Sequence, residues 1–143
     1  MAKRKPVSPE AAAKHEADVA LAGRFDDLFA QAQEAERALR HGEANGASLE
    51  ELHRAGKRLD SALTDVMRAA FAAQRAEIGP LGYDDRIYRR KAMATSPVRA
   101  WTMEAERLLT LRESHRLTGI VRLPRQSEAA PGAAGSAAST INA

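Results

Sequence analysis

His41-Gly42-Glu43-Ala44-Asn45-Gly46-Ala47-Ser48-Leu49-Glu50-Glu51 is the stretch whose reading decides the fold. Two glycines and an asparagine close one helix, because these residues accept turn conformations that others resist. Ser48 then stands three residues ahead of Glu51. That spacing predicts a capping box: the serine hydroxyl accepts from the Glu51 amide and the glutamate carboxylate accepts from the Ser48 amide. One helix stops and another starts within a few residues, so the two lie side by side and antiparallel.

Upstream, Ser8-Pro9-Glu10 supplies a helix start: a serine N-cap, a proline in the first turn and an acid near the positive end of the helix. The reading is one helix over 9–41. Leu21, Phe25, Leu28, Ala32, Ala35 and Leu39 alternate spacings of four and three along it, a stripe that needs a partner helix, and Phe29 widens the stripe. Gly23 sits inside this helix at a cost of about 1 kcal/mol relative to alanine. Downstream, the second helix spans 49–77 with Leu52, Leu59, Leu63, Val66, Met67, Ala70 and Phe71 on its apolar face. The hairpin 9–77 is the main element of an all-α fold. Ile78-Gly79-Pro80-Leu81-Gly82 ends it. A short basic helix over 84–94 follows, then a third helix over 97–116, expected near the base of the hairpin and buried through Val98, Trp101, Ala105, Leu108 and Leu109.

The helical region, 8–125, is flanked by a basic arm at 1–7 and by an Ala/Gly/Ser/Pro-rich tail at 126–143, both expected to be flexible. Residues 120–124 read as a brief extended stretch. Alanine accounts for 31 of 143 residues, while isoleucine, leucine, valine and phenylalanine together number 25. Alanine favours helices but buries little area. A chain with such a thin set of large apolar residues is expected to find burial on other protein chains, as a homo-oligomer or within a larger assembly. Phe25, Phe29, Phe71 and Trp101 are the candidate partner-interface residues, Trp101 being readable either as core or as an interfacial anchor.

No cysteine is present, which excludes disulfides and thiolate chemistry. No run approaches the roughly 18 apolar residues of a membrane span, and the basic start leads into alanine and charge rather than an apolar core. The expectation is a soluble chain without membrane partners, cytoplasmic at synthesis. Charge is unevenly placed: residues 8–78 carry 9 basic and 13 acidic side chains, residues 79–125 carry 10 and 5. That asymmetry permits head-to-tail association or docking on an acidic partner.

His15, His41, His53 and His115 are scattered, with no pair four apart on a helix, so no metal site is expected. The paired acids sit at helix starts or among arginines, where dipole and solvation account for them. No phosphate-binding glycine loop and no nucleophile elbow occur. The sequence therefore predicts neither catalysis nor a cofactor.

Arg86-Ile87-Tyr88-Arg89-Arg90-Lys91 is the candidate binding segment. Arg86, Arg89 and Arg90 fall on one helical face, able to hold phosphates, and Tyr88 is available for stacking. Three readings stay open: a surface helix neutralised by salt bridges with Asp84, Asp85 and neighbouring acids, a nucleic-acid contact, or docking on an acidic protein face. A helix-turn-helix at Ala94-Thr95-Ser96-Pro97 matches poorly. Together these features predict a non-enzymatic structural or adaptor protein, of a kind seen in virion and head–tail connector components, with a small nucleic-acid-binding protein for DNA packaging or regulation as the alternative.

Overall fold

The structure, a computed structural model, describes residues 6–119 and 122–123. The expected tail at 126–143, most of the arm at 1–7 and most of the extended stretch at 120–124 lie outside the described residues. Five helices follow in order: α1 Pro9–Ala22, α2 Phe25–Ala44, α3 Leu49–Ile78, α4 Arg86–Met93 and α5 Ser96–Thr118, with a 3₁₀ turn at Pro80–Tyr83 between α3 and α4. The described residues contain no strand, and the fold is all-α.

The α2–α3 hairpin forms as its local chemistry requires. The Glu51 amide donates to Ser48 Oγ at 3.1 Å and the Ser48 amide donates to Glu51 Oε2 at 3.3 Å, closing the capping box. Gly46 takes φ 69° in the turn, a left-handed conformation that a side chain would strain.

Two expectations about the helices are corrected. The helix expected over 9–41 is two helices, divided at Gly23 and Arg24. Gly23 itself stays helical at φ −64°, whereas Arg24, at φ −92° and ψ 1°, donates its amide to Leu21 O in a tighter turn. The bend lets α1 pack on the end of α3 and on the 3₁₀ turn while Phe25 enters the core. The third helix does not sit at the hairpin base. It runs antiparallel along α3, from Thr102 beside Gln74 to His115 beside Gly56. α3 is thus the central helix, with α2 and α5 both antiparallel to it.

The core is filled in layers by Phe29, Leu59, Leu63, Val66 and Leu108, all fully buried, and closed by Ala32, Ala69, Ala70 and Ala105. Alanine lets backbones approach closely, so a few large side chains suffice to fill the space between them. Phe25 and Phe29 are therefore corrected from partner-facing to internal: their rings stack at 5.9 Å and Trp101 meets Phe25 edge-on at 5.2 Å. Phe71 and Trp101 are half-buried against the same core.

Candidate functional site

α4 is held by its ends rather than by its face. Asp85 caps it, one carboxylate oxygen accepting from the amides of Ile87 and Tyr88, both at 3.0 Å. Asp84 accepts from the Ser8 hydroxyl at the start of α1. Arg89 reaches back to donate to Gly82 O at 3.2 Å, and Met93 meets the Gln74 side chain. No residue of α4 is buried. Packing explains the tight 3₁₀ turn before it: a methyl group at Gly82 would lie 2.4 Å from Ile78 Cγ2, so only glycine fits there without displacement.

Of the candidate binding residues, Arg86, Arg89 and Arg90 line one cleft, which Tyr88 and Lys91 do not. Arg86, Tyr88, Arg89, Arg90 and Lys91 are all exposed, Tyr88 at 41% and Ile87 beside it at 69%. Among the described residues, Arg86, Arg90 and Lys91 form no ion pair and no side-chain hydrogen bond, and α4 itself carries no acid. Asp84 and Asp85 are turned to Ser8 and to the helix amides instead. The other four candidates do not join this group. They belong to the core or its edge.

The structure adds residues that spacing did not reveal. Arg86, Arg89 and Arg90 border a cleft of about 560 Å³ whose inner wall is Ile78, Met93 and Arg75. A second cleft of about 460 Å³, reaching Lys14, Asp18 and Tyr83, shares Arg75, Ile78 and Arg89 with the first. Asp18 braces the junction, accepting from Arg75 Nε at 2.9 Å, from Arg75 Nη2 at 3.0 Å and from the Tyr83 hydroxyl. Burial works against its charge, but these bonds and the Arg75 charge outweigh burial and hold its carboxyl below the usual 3.8. Burial and the bond to Asp18 push the Tyr83 hydroxyl well above its ordinary value. Asp18 therefore acts as a brace, accepting three hydrogen bonds from two elements. His15 lies edge-on to Tyr83 at 6.4 Å, its Nδ1 buried without a partner among the described residues.

At the other end of the bundle a cleft of about 640 Å³ is lined by Leu39, Leu52, His53, Gly56, His115 and Arg116, among others. Three ion pairs lie at that end, Arg40 with Glu43 at 2.7 Å, Arg54 with Glu50 at 3.6 Å and Arg116 with Asp60 at 2.7 Å, while Lys57 in the lining forms none among the described residues. Midway along α5, Glu104 is buried and accepts from Arg107 at 2.7 Å, burial pushing its carboxyl up against the pull of that partner. Among the described residues no three histidine, aspartate or glutamate side chains meet where they would hold a metal ion, and no helix is long and apolar enough to cross a membrane.

Comparison with known proteins finds no match: no family model, no curated protein and no solved structure matches the chain.

Proposed function

We propose that this chain is a non-enzymatic structural or adaptor protein that oligomerises or docks on a larger, negatively charged assembly, with α4 as its contact face. The observation that carries this reading is a helix rich in cations, free of acids and buried nowhere. Such a helix adds little to the core, so its composition is better accounted for by an external contact. Arg86, Arg90 and Lys91 are free among the described residues to meet carboxylates or phosphates on a partner. Ile87 adds an apolar contact at the centre of the patch. The test is the size of the purified full-length chain by light scattering across a dilution series, at low and high salt. Species larger than a monomer that shrink in the triple substitution Arg86→Gln, Arg90→Gln, Lys91→Gln support the proposal. A compact monomer under all conditions counts against it.

Tyr88 favours a second reading, contact with nucleic acid. The residue is 41% exposed on the same short helix as the uncommitted cations, which leaves its ring available to stack on a base while arginines hold phosphates. Binding to single-stranded and duplex DNA would be measured against salt concentration. Changing Arg86, Arg89 and Arg90 to glutamine should weaken binding and reduce the duplex salt slope by about 0.9 for each phosphate contact removed. An unchanged affinity and slope eliminates this reading.

A further inference from the structure

The two clefts at the α4 end meet along Arg75, Ile78 and Arg89, and each lies in the range of roughly 300–1,000 Å³ common to small-ligand sites. Five cations stand around them: Lys14, Arg75, Arg86, Arg89 and Arg90. Asp18 is the one carboxylate in the lining, and Arg75 and Tyr83 already engage it. The apolar part of the wall comes from Ile78, common to both clefts, and from Ile87 and Met93 in the second. We infer that the joined clefts bind a small ligand carrying two or more phosphate groups on an apolar or aromatic body, the chemical class that includes nucleoside polyphosphates.

Charge selects the class. The lining carries five cations and one carboxylate, so a carboxylate ligand leaves three positive charges unmatched and a single phosphate, which brings at most about two negative charges, leaves two. A chain of phosphates matches the surplus. Placement agrees, because the outer cations stand on two walls, Lys14 on α1 and Arg86, Arg89 and Arg90 on α4, with Arg75 of α3 at the junction between them. A ligand must extend to meet both. Chemistry agrees as well: a guanidinium presents a planar fork of donors that fits phosphate oxygens in pairs, whereas lysine supplies a point charge. Arg89 is already oriented by its bond to Gly82 O, so less side-chain freedom is lost when its remaining N–H groups engage a ligand. Ile78 and Met93 then offer a surface for the apolar body, with Met93 adaptable in shape. Ile87, left in water by the fold, would be covered by it.

This inference goes beyond the docking reading, and Lys14 separates the two, since it lines the first cleft and lies on α1, away from the outer face of α4. Lys14 and Arg86 are exposed and make no side-chain bond among the described residues, so their substitution alters charge without removing packing. The experiment is calorimetric titration of the full chain with adenosine triphosphate, inorganic tripolyphosphate and orthophosphate, with thermal melts to verify that each variant folds. Tripolyphosphate should bind saturably and more tightly than orthophosphate. Adenosine triphosphate should bind about tenfold more tightly than tripolyphosphate through the apolar wall. Lys14→Gln should weaken both polyphosphates by about tenfold. Ile87→Ser should weaken only the nucleotide, and Lys57→Gln, exposed at the cleft of the opposite end, should change neither. Three results would overturn the inference: no saturable polyphosphate binding at millimolar concentration, affinities indifferent to Lys14→Gln, or an equal loss in Lys57→Gln. DNA binding by a chain that ignores tripolyphosphate would also overturn it, while leaving the docking reading intact.

Discussion

Two aspartate–arginine pairs brace α3, one near its C-terminal end and one in its N-terminal half, and they are built differently. At the α4 end Asp18 of α1 takes two hydrogen bonds from Arg75, at 2.9 and 3.0 Å, and a third from Tyr83. At the turn end Asp60 of α3 takes two from Arg116 of α5, at 2.7 and 3.2 Å. The arginines are equally open to water, 45% and 46% exposed, but the acids are not: Asp18 is 13% exposed and Asp60 30%. The elements they join differ more. α1 buries only Ala11, whereas α5 buries Val98, Glu104, Ala105 and Leu108. An ion pair matters to a fold where little else holds its elements. Asp18 attaches α1 and the 3₁₀ turn to α3, while Asp60 supplements a seam that apolar packing already closes.

The largest effect should come from the core that both ends share. Leu63→Ala removes a fully buried side chain from the centre of α3 and should destabilise the chain by about 3 kcal/mol. Urea unfolding followed by Trp101 fluorescence and by helical circular dichroism should shift to one lower midpoint. Hydrogen exchange should quicken at both ends alike. Separate midpoints would mean that the ends unfold independently, and the comparison would then be one between two units rather than two braces.

Asp18→Asn comes next, at about 1–2 kcal/mol after allowance for the exposure of Arg75. Its signature is local: amide exchange should accelerate in α1 and the 3₁₀ turn while α5 stays protected. The acid limb carries a further check. Both aspartates titrate below 3.8 in the fold, so their stabilisation is complete above that pH and is lost as pH falls through their depressed values. Asp18→Asn should therefore flatten part of the acid slope. Tyr83 has the opposite limb. Its hydroxyl is raised above the ordinary 10.0, so its contribution is complete below pH 10 and declines as pH rises further. Tyr83→Phe should remove that alkaline decline. An unchanged alkaline limb in this variant would show that the hydroxyl does not brace the turn.

What the sequence disclosed follows from how local each cause is. The turn, the capping box and the face shared by Arg86, Arg89 and Arg90 depend on residues within four positions of one another, and they are legible. The division of the first helix is not, because Gly23 keeps a helical conformation and the irregular residue is Arg24, which carries no breaking chemistry. The lengthwise course of α5 was available in principle. Val98 to Leu108 is a buried stripe of roughly 15 Å at 1.5 Å per residue, too long for contact at one end of a hairpin. Phe25 and Phe29 read as partner-interface candidates because the count of large residues is small for a core. Fully buried Ala32, Ala69, Ala70 and Ala105 show that close backbones reduced the volume to be filled. Arg75 stands 57 positions from Asp18, and Tyr83 stands 65, so only the folded chain brings the brace and its clefts together.

Asp60→Asn should have a smaller effect than either Leu63→Ala or Asp18→Asn. Its bond to Arg116 lowers its carboxyl, against a small opposing effect of burial, yet both partners are open to water. An exposed pair is weakened by screening and by the entropy of holding two long side chains still. The expected loss in melting temperature is smaller than that of Asp18→Asn and largely disappears at about 1 M salt, where the Debye length falls to about 3 Å. Asp18→Asn should keep most of its effect at that ionic strength, because its acid is enclosed and its bond to Tyr83 is not an ion pair. A loss at Asp60 equal to that at Asp18, or one insensitive to salt, would mean that the α3–α5 seam depends on its ion pair as α1 does, and packing area would cease to explain the difference between the two ends.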